Sequence, residues 1–302
     1  MRFRLVMFSC FLLACWHPAG AQKTAAKHAQ LELLAQQSAA IPGRTLPLGV
    51  HFQLEKGWHI YWINPGDSGQ PPVFQWQLPP GFSAGDIQWP RPEKMQTAHL
   101  ADYGYHDDVL LLVPLHAGKD LKSNSRVEIG LDAKWLICRE VCIADRAHLH
   151  IALPVSSVVQ SDPGTEQVFA NARKQVPRPF PARWKARAES HKKTFVLVVE
   201  TDTAIVSSNP TSIRPPPAVD FFPLQADQIE NAAVQVVVLG DTRVEITLQK
   251  SDQLIKPISL LKGVLVLPGG LPYRIEAPVI DREMPTGKRR TGEAPAAKTN
   301  PE

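Results

Sequence analysis

The chain has 302 residues, 44% of them hydrophobic and 21% charged, with a formal net charge of +4. This is a globular composition with room for two domains of common size, and it excludes a chain disordered throughout. Much of the basic surplus lies at the ends, in Arg2 and Arg4 and in Lys288-Arg289-Arg290, so no concentrated basic face is left to displace counterions from nucleic-acid phosphates.

The first segment reads as an export signal: Arg2 and Arg4 precede an apolar run from Leu5 to Trp16, and Ala19-Gly20-Ala21 offers a small-residue cleavage site. The run falls well short of the roughly 20 residues that a membrane-spanning helix needs. Residues 1–21 are therefore expected to be a signal peptide, and the periplasm the destination of a soluble product. Leu12-Leu13-Ala14-Cys15 resembles a lipobox, which makes a lipoprotein anchored through Cys15 the alternative. Twenty-eight prolines favour short strands and structured turns over long helices, so the expected class is all-β.

Residues 30–155 carry apolar runs at Leu48–Leu54, Trp58–Ile63, Val73–Leu78, Val109–Leu115, Val127–Ile137 and His148–Val155. Breakers such as Asn64-Pro65-Gly66 and Pro79-Pro80-Gly81 separate them, the pattern of an antiparallel sandwich. Over 156–190 the pattern changes. Asp162-Pro163-Gly164-Thr165 starts a short helix running to about Lys174, and Pro177, Pro179 and Pro181 form a stiff connector. Strand-like runs at Thr194–Glu200, Ala233–Leu239, Arg243–Leu248, Gly263–Leu267 and Tyr273–Ala277 predict a second, smaller β-sandwich domain over 191–281, and 282–302 reads as a disordered basic tail.

Cys138 and Cys142 remain once the signal is removed, and in an oxidising compartment so close a pair is expected to form a disulfide. Residues four apart in a straight strand are separated by about 13 Å, whereas bridged α-carbons lie within roughly 7 Å, so Arg139-Glu140-Val141 must bend and Cys138 must end its strand. Val127, Ile129, Leu131, Ala133, Trp135 and Ile137 share one parity and form the core side. Cys138 has the other parity, which would leave its sulfur within reach of an incoming thiolate. Closing so small a loop contributes only about 2 kcal/mol, making the pair an inefficient staple. Arg139 is placed to stabilise a thiolate, although Glu140 offsets it. A permanent clip at the end of a strand is the competing reading.

Other signals are weaker. Gly66-Asp67-Ser68-Gly69 imitates a serine-protease nucleophile segment, but Ser68 lies too early in the chain for that order of residues and reads as a turn. His148 and His150 share a strand face; with Cys138 or Cys142 as a third ligand they would make a copper or zinc site, but solvent-facing histidines are the preferred reading and no metal or small-molecule cofactor is assigned. Trp58, Tyr61, Trp62, Trp76 and Trp89 read as core and turn packing.

Four segments resemble one family: Gly57-Trp58-His59-Ile60-Tyr61-Trp62, Asn64-Pro65-Gly66-Asp67-Ser68-Gly69, Tyr103-Gly104-Tyr105, and Trp135-Leu136-Ile137-Cys138 followed by Cys142-Ile143. They are similar to the periplasmic amino-terminal region of DsbD-like thiol:disulfide interchange proteins, especially the ScsB type, which is associated with copper tolerance. The resemblance extends more weakly through Asp220-Phe221-Phe222-Pro223 and Leu261 to Leu265; Ala144 departs from the usual proline. It implies an immunoglobulin-like β-sandwich at 30–155, with Cys138 and Cys142 as a redox pair and Cys142 bonding to the partner. It also implies Tyr103 and Tyr105 near a shielding loop. The implied partners are a membrane-embedded thiol donor on a separate chain, because the longer members' membrane helices and thioredoxin-like domain are not in this sequence, and periplasmic thioredoxin-like or disulfide-bonded proteins. A non-catalytic β-sandwich binding module with a structural disulfide is the alternative.

Overall fold

The computed structural model describes residues 23–97, 99–205 and 219–282. The expected signal segment with Cys15, and the expected tail beyond Arg282, lie outside the described residues. The first group of strands is β1 (Thr24–Ala26), β2 (Ala29–Ala35), β3 (Thr45–Leu54), β4 (His59–Gly66), β5 (Val73–Gln77), β6 (Phe82–Ala84), β7 (Glu93–Thr97), β8 (Leu100–His106), β9 (Asp108–Ala117), β10 (Arg126–Cys138) and β11 (Cys142–Pro154). They form two sheets, ordered β1-β2-β3-β9-β6 and β11-β10-β4-β8-β7, with β5 also on β10. This is the all-β, immunoglobulin-like sandwich.

Alternation builds its core. Ile129, Leu131, Ala133, Trp135 and Ile137 of β10 face inward with Ala147, Leu149 and Ile151 of β11, and they meet Leu31, Leu33, Leu48, Val50 and Phe52 from the other sheet. Each large side chain buried this way contributes about 1.5–3 kcal/mol. β10 and β11 pair without a register break from Arg126↔Pro154 to Cys138↔Cys142. β11 thus starts at Cys142 rather than at the expected His148; the polar pair Asp145-Arg146 hides its first residues from a count of apolar positions.

Tyr103-Gly104-Tyr105, which the resemblance sets near a shielding loop, lies inside β8. Gly104 is needed there for close approach, since a Cβ would stand 2.1 Å from the Ile60 carbonyl oxygen on β4.

The helix α1 (Pro163–Gln175) starts where the sequence places it, with the Asp162 side chain accepting a hydrogen bond from the Thr165 amide at 2.8 Å. Its Phe169 is buried against Leu110 and Leu112 on the outer face of β9.

The remaining strands are β12 (Arg178–Pro179), β13 (Lys185–Ser190), β14 (Thr194–Glu200), β15 (Asp220–Pro223), β16 (Val236–Leu239), β17 (Arg243–Gln249), β18 (Leu260–Val266) and β19 (Pro272–Asp281). They surround their own core, in which Phe195, Leu197, Phe221, Ile246 and Leu265 meet. Phe222, Val264 and Val266 turn the other way and join the first core. There the Phe222 ring makes edge-to-face contacts with Trp62 and Tyr103, with centroids 6.4 and 5.5 Å apart. Among the described residues no helix is long and apolar enough to cross a membrane.

Candidate functional site

The ladder between β10 and β11 brings Cys138 and Cys142 together at its last rung, with α-carbons 4.1 Å apart and the sulfurs bonded at 2.07 Å. Arg139-Glu140-Val141 makes the turn, closed by a 3.2 Å bond from the Arg139 amide to the Val141 carbonyl. The same rung continues sideways, since Cys138 pairs with His59 on β4 and His59 with His106 on β8. Directly paired residues share a face, so this row lies on the outer side of the sheet, where parity places Cys138.

Access differs from the expectation. Cys138 is only 2% exposed, while Cys142 is exposed. The outer face is roofed at this point: Tyr61, one alternation along β4 from His59, is 1% exposed, and its hydroxyl lies 3.0 Å from Cys138 Sγ and 3.5 Å from Cys142 Sγ. Disulfide sulfurs have no proton, so the phenol donates. Tyr61 is therefore not core filler like Trp62. It is the ring that meets the cysteines.

The turn after β4 holds Tyr61 from above. Gly69, at φ +77°, lays its backbone on the ring so closely that a Cβ would sit 2.1 Å from Tyr61 Cζ. Ser68 is anchored by its amide and hydroxyl to the Asp102 carboxylate, at 2.9 and 2.8 Å. Burial pushes the Tyr61 phenol above its usual range, a hydrogen bond with Ser68 pulls it back, and the Asp102 charge adds to the rise. The phenol stays a proton donor at neutral pH.

His59 stacks edge-on against Tyr61 and His106, with centroids 5.3 and 5.5 Å away. Burial and the neighbouring His106 lower its pKa, with Asp102 opposing, so it is neutral, and its Nε2 has no hydrogen-bond partner among the described residues.

The other expected residues lie elsewhere. Tyr103 and Tyr105 point into the core, because strand alternation sets Gly104, not their rings, opposite Tyr61. The Tyr103 hydroxyl donates to Asn231 Oδ1 at 3.1 Å and that of Tyr105 to the Pro90 carbonyl at 2.9 Å. Arg139 lies over the Trp58 ring, with Cζ 5.2 Å from the centroid. His148 bonds Asp132 at 2.9 Å. It stands six residues from Cys142 along β11, about 20 Å in an extended strand, so the histidines and the cysteines do not converge on one metal.

Residues 30–154 match the family model described as thiol:disulfide interchange protein DsbD, N-terminal. Among solved structures, the chain is similar to the N-terminal periplasmic domain of ScsB from Proteus mirabilis, with a TM-score of 0.58 and 17% identity over 84% of this chain and 94% of that one. At that identity the likeness is one of fold, and its coverage reaches past residue 154 into the second group of strands. No curated protein matches the chain. The sandwich, the joined cysteines at its hairpin tip and the family match fall on the same residues, so that segment 30–154 is similar in sequence to the DsbD amino-terminal domain and in fold to that of ScsB.

Proposed function

We propose that the protein is a periplasmic thiol:disulfide interchange component that relays two electrons through Cys138 and Cys142. The observation that carries this reading is the asymmetry of the pair. One sulfur is exposed for attack, and the other is buried under a phenol that donates to it. An incoming donor thiolate attacks Cys142 Sγ, the Cys138–Cys142 bond breaks, and Cys138 leaves as a thiolate that accepts the Tyr61 hydrogen bond. A second donor thiol then displaces Cys142, leaving the donor oxidised and both cysteines reduced. In the outgoing half, the Cys142 thiolate attacks a partner disulfide and Cys138 resolves the mixed disulfide. Both halves use Cys142 as the bonding cysteine.

The donor in this reading is a membrane-embedded thiol protein, and the acceptors are thioredoxin-like or disulfide-bonded periplasmic proteins. The working division of the chain is a redox domain at 30–155 and a second domain at 191–281, whose sheet also takes in β12 and β13 from the expected connector at 156–190. Equilibration in glutathione buffers tests the reading: a potential near −200 mV supports exchange, and one well below about −300 mV marks a structural clip instead.

A further inference from the structure

The turn that roofs Tyr61 is held from outside its own sandwich. Asn231, in the connection between β15 and β16, is 6% exposed, and both ends of its amide are used across the contact between the two groups of strands. Its Nδ2 donates to Asp67 Oδ1 at 2.7 Å, and its Oδ1 accepts from the Tyr103 hydroxyl. The second oxygen of Asp67 accepts from the Ala101 amide at 2.7 Å. Just upstream, Asn64, 2% exposed, donates to the Pro223 carbonyl on β15 at 2.8 Å and accepts from the Gly66 amide. Between these two pins the chain turns at Gly66, φ +91°, and runs on through Ser68 to Gly69, whose backbone seats Tyr61.

We propose that Asn231 is a positioning residue for the disulfide: by holding Asp67 it fixes the turn that presses Tyr61 against Cys138, so the second group of strands tunes chemistry at sulfurs it does not touch. The inference rests on the exchange reading. A buried amide is costly unless its bonds are made, so Asn231 is satisfied only while the two groups are docked and the turn is in place. Loss of the Asn231 bond removes one anchor of the turn while those of Asp67 to Ala101 and Ser68 to Asp102 remain, so the turn loosens rather than opens and the phenol's hydrogen bond to Cys138 as a leaving thiolate is weakened.

The test is the rate at which dithiothreitol reduces the disulfide of the full chain, measured well below the unfolding temperature. Asn231→Ala is expected to slow reduction about threefold, the scale of one weakened hydrogen bond, and to have no further effect in a Tyr61→Phe background, where the hydroxyl is already gone. An unchanged rate in Asn231→Ala, or equal slowing in both backgrounds, overturns the proposal. Should Asn231→Ala fail to fold, Tyr103→Phe removes only the hydroxyl that orients Asn231 and carries the test on the same terms with a smaller slowing. Failure of the exchange reading looks different: the disulfide would be reduced by dithiothreitol yet would not exchange with a thioredoxin-like dithiol.

Discussion

His51 and His59 belong to the same sandwich and have opposite surroundings. His51 lies on β3 beneath two carboxylates, with Nδ1 2.9 Å from Glu32 and Nε2 2.8 Å from Asp108. Burial pulls its pKa down, but the hydrogen bonds and charges of Asp108 and Glu32 outweigh it and the pKa is raised. The same hydrogen bond, with burial opposing, lowers Asp108. His59 is neutral, with one nitrogen unpaired among the described residues, in a row with a disulfide. A buried polar cluster whose every valence is filled serves the fold, whereas one with an open nitrogen and a phenol on sulfur has capacity left for chemistry.

The largest effect that would break this contrast is all-or-none. Cys138→Ser should accumulate mixed disulfides through the exposed Cys142, visible as adducts on non-reducing gels, and Cys142→Ser should form none. Equal trapping by both would remove the asymmetry. Next, His51→Ala should cost about 3 kcal/mol in chemical denaturation by leaving the Glu32 carboxylate without its partner, with an exchange rate unchanged within about twofold. Tyr61→Phe should do the reverse, slowing reduction by dithiothreitol about tenfold through the lost bond to the leaving thiolate while stability moves by about 1 kcal/mol or less.

The smallest effect is on pH dependence. Because the folded pKa of His51 is raised from 6.5, its contribution to stability is complete below pH 6.5 and is lost as pH rises through the raised value. His59 has a folded pKa below 6.5, so its contribution is present above pH 6.5 and is lost as pH falls through the lowered value. Denaturation midpoints followed against pH should therefore show His51→Ala most damaging in acid, and His59→Gln gaining on the unsubstituted protein as pH drops.

The sequence carried the outline of this site because β10 obeys strict alternation: Val127 to Ile137 set the core face, and Cys138 necessarily fell on the other. It could not carry the exposure of the sulfurs, which depends on a turn folding back over Tyr61 from 66–69. Tyr61 was readable in part. His59 and Tyr61 alternate with Ile60 and Trp62, so they had to face away from the core, but a run with aromatic residues at both parities reads as uniformly buried. Asn231 left no local signal at all, since its partners Asp67 and Tyr103 are more than a hundred residues away in the chain.

The unbroken ladder beneath the cysteines has one more consequence. Cross-strand pairing, rather than the sulfur bond, keeps the two α-carbons adjacent, so the reduced thiols remain facing each other at high effective molarity. In the exchange reading proposed above, attack by Cys138 releases a reduced partner from its adduct on Cys142 in the outgoing half, and in the incoming half it competes with the donor's second thiol, whose attack must be the faster for reduction to complete.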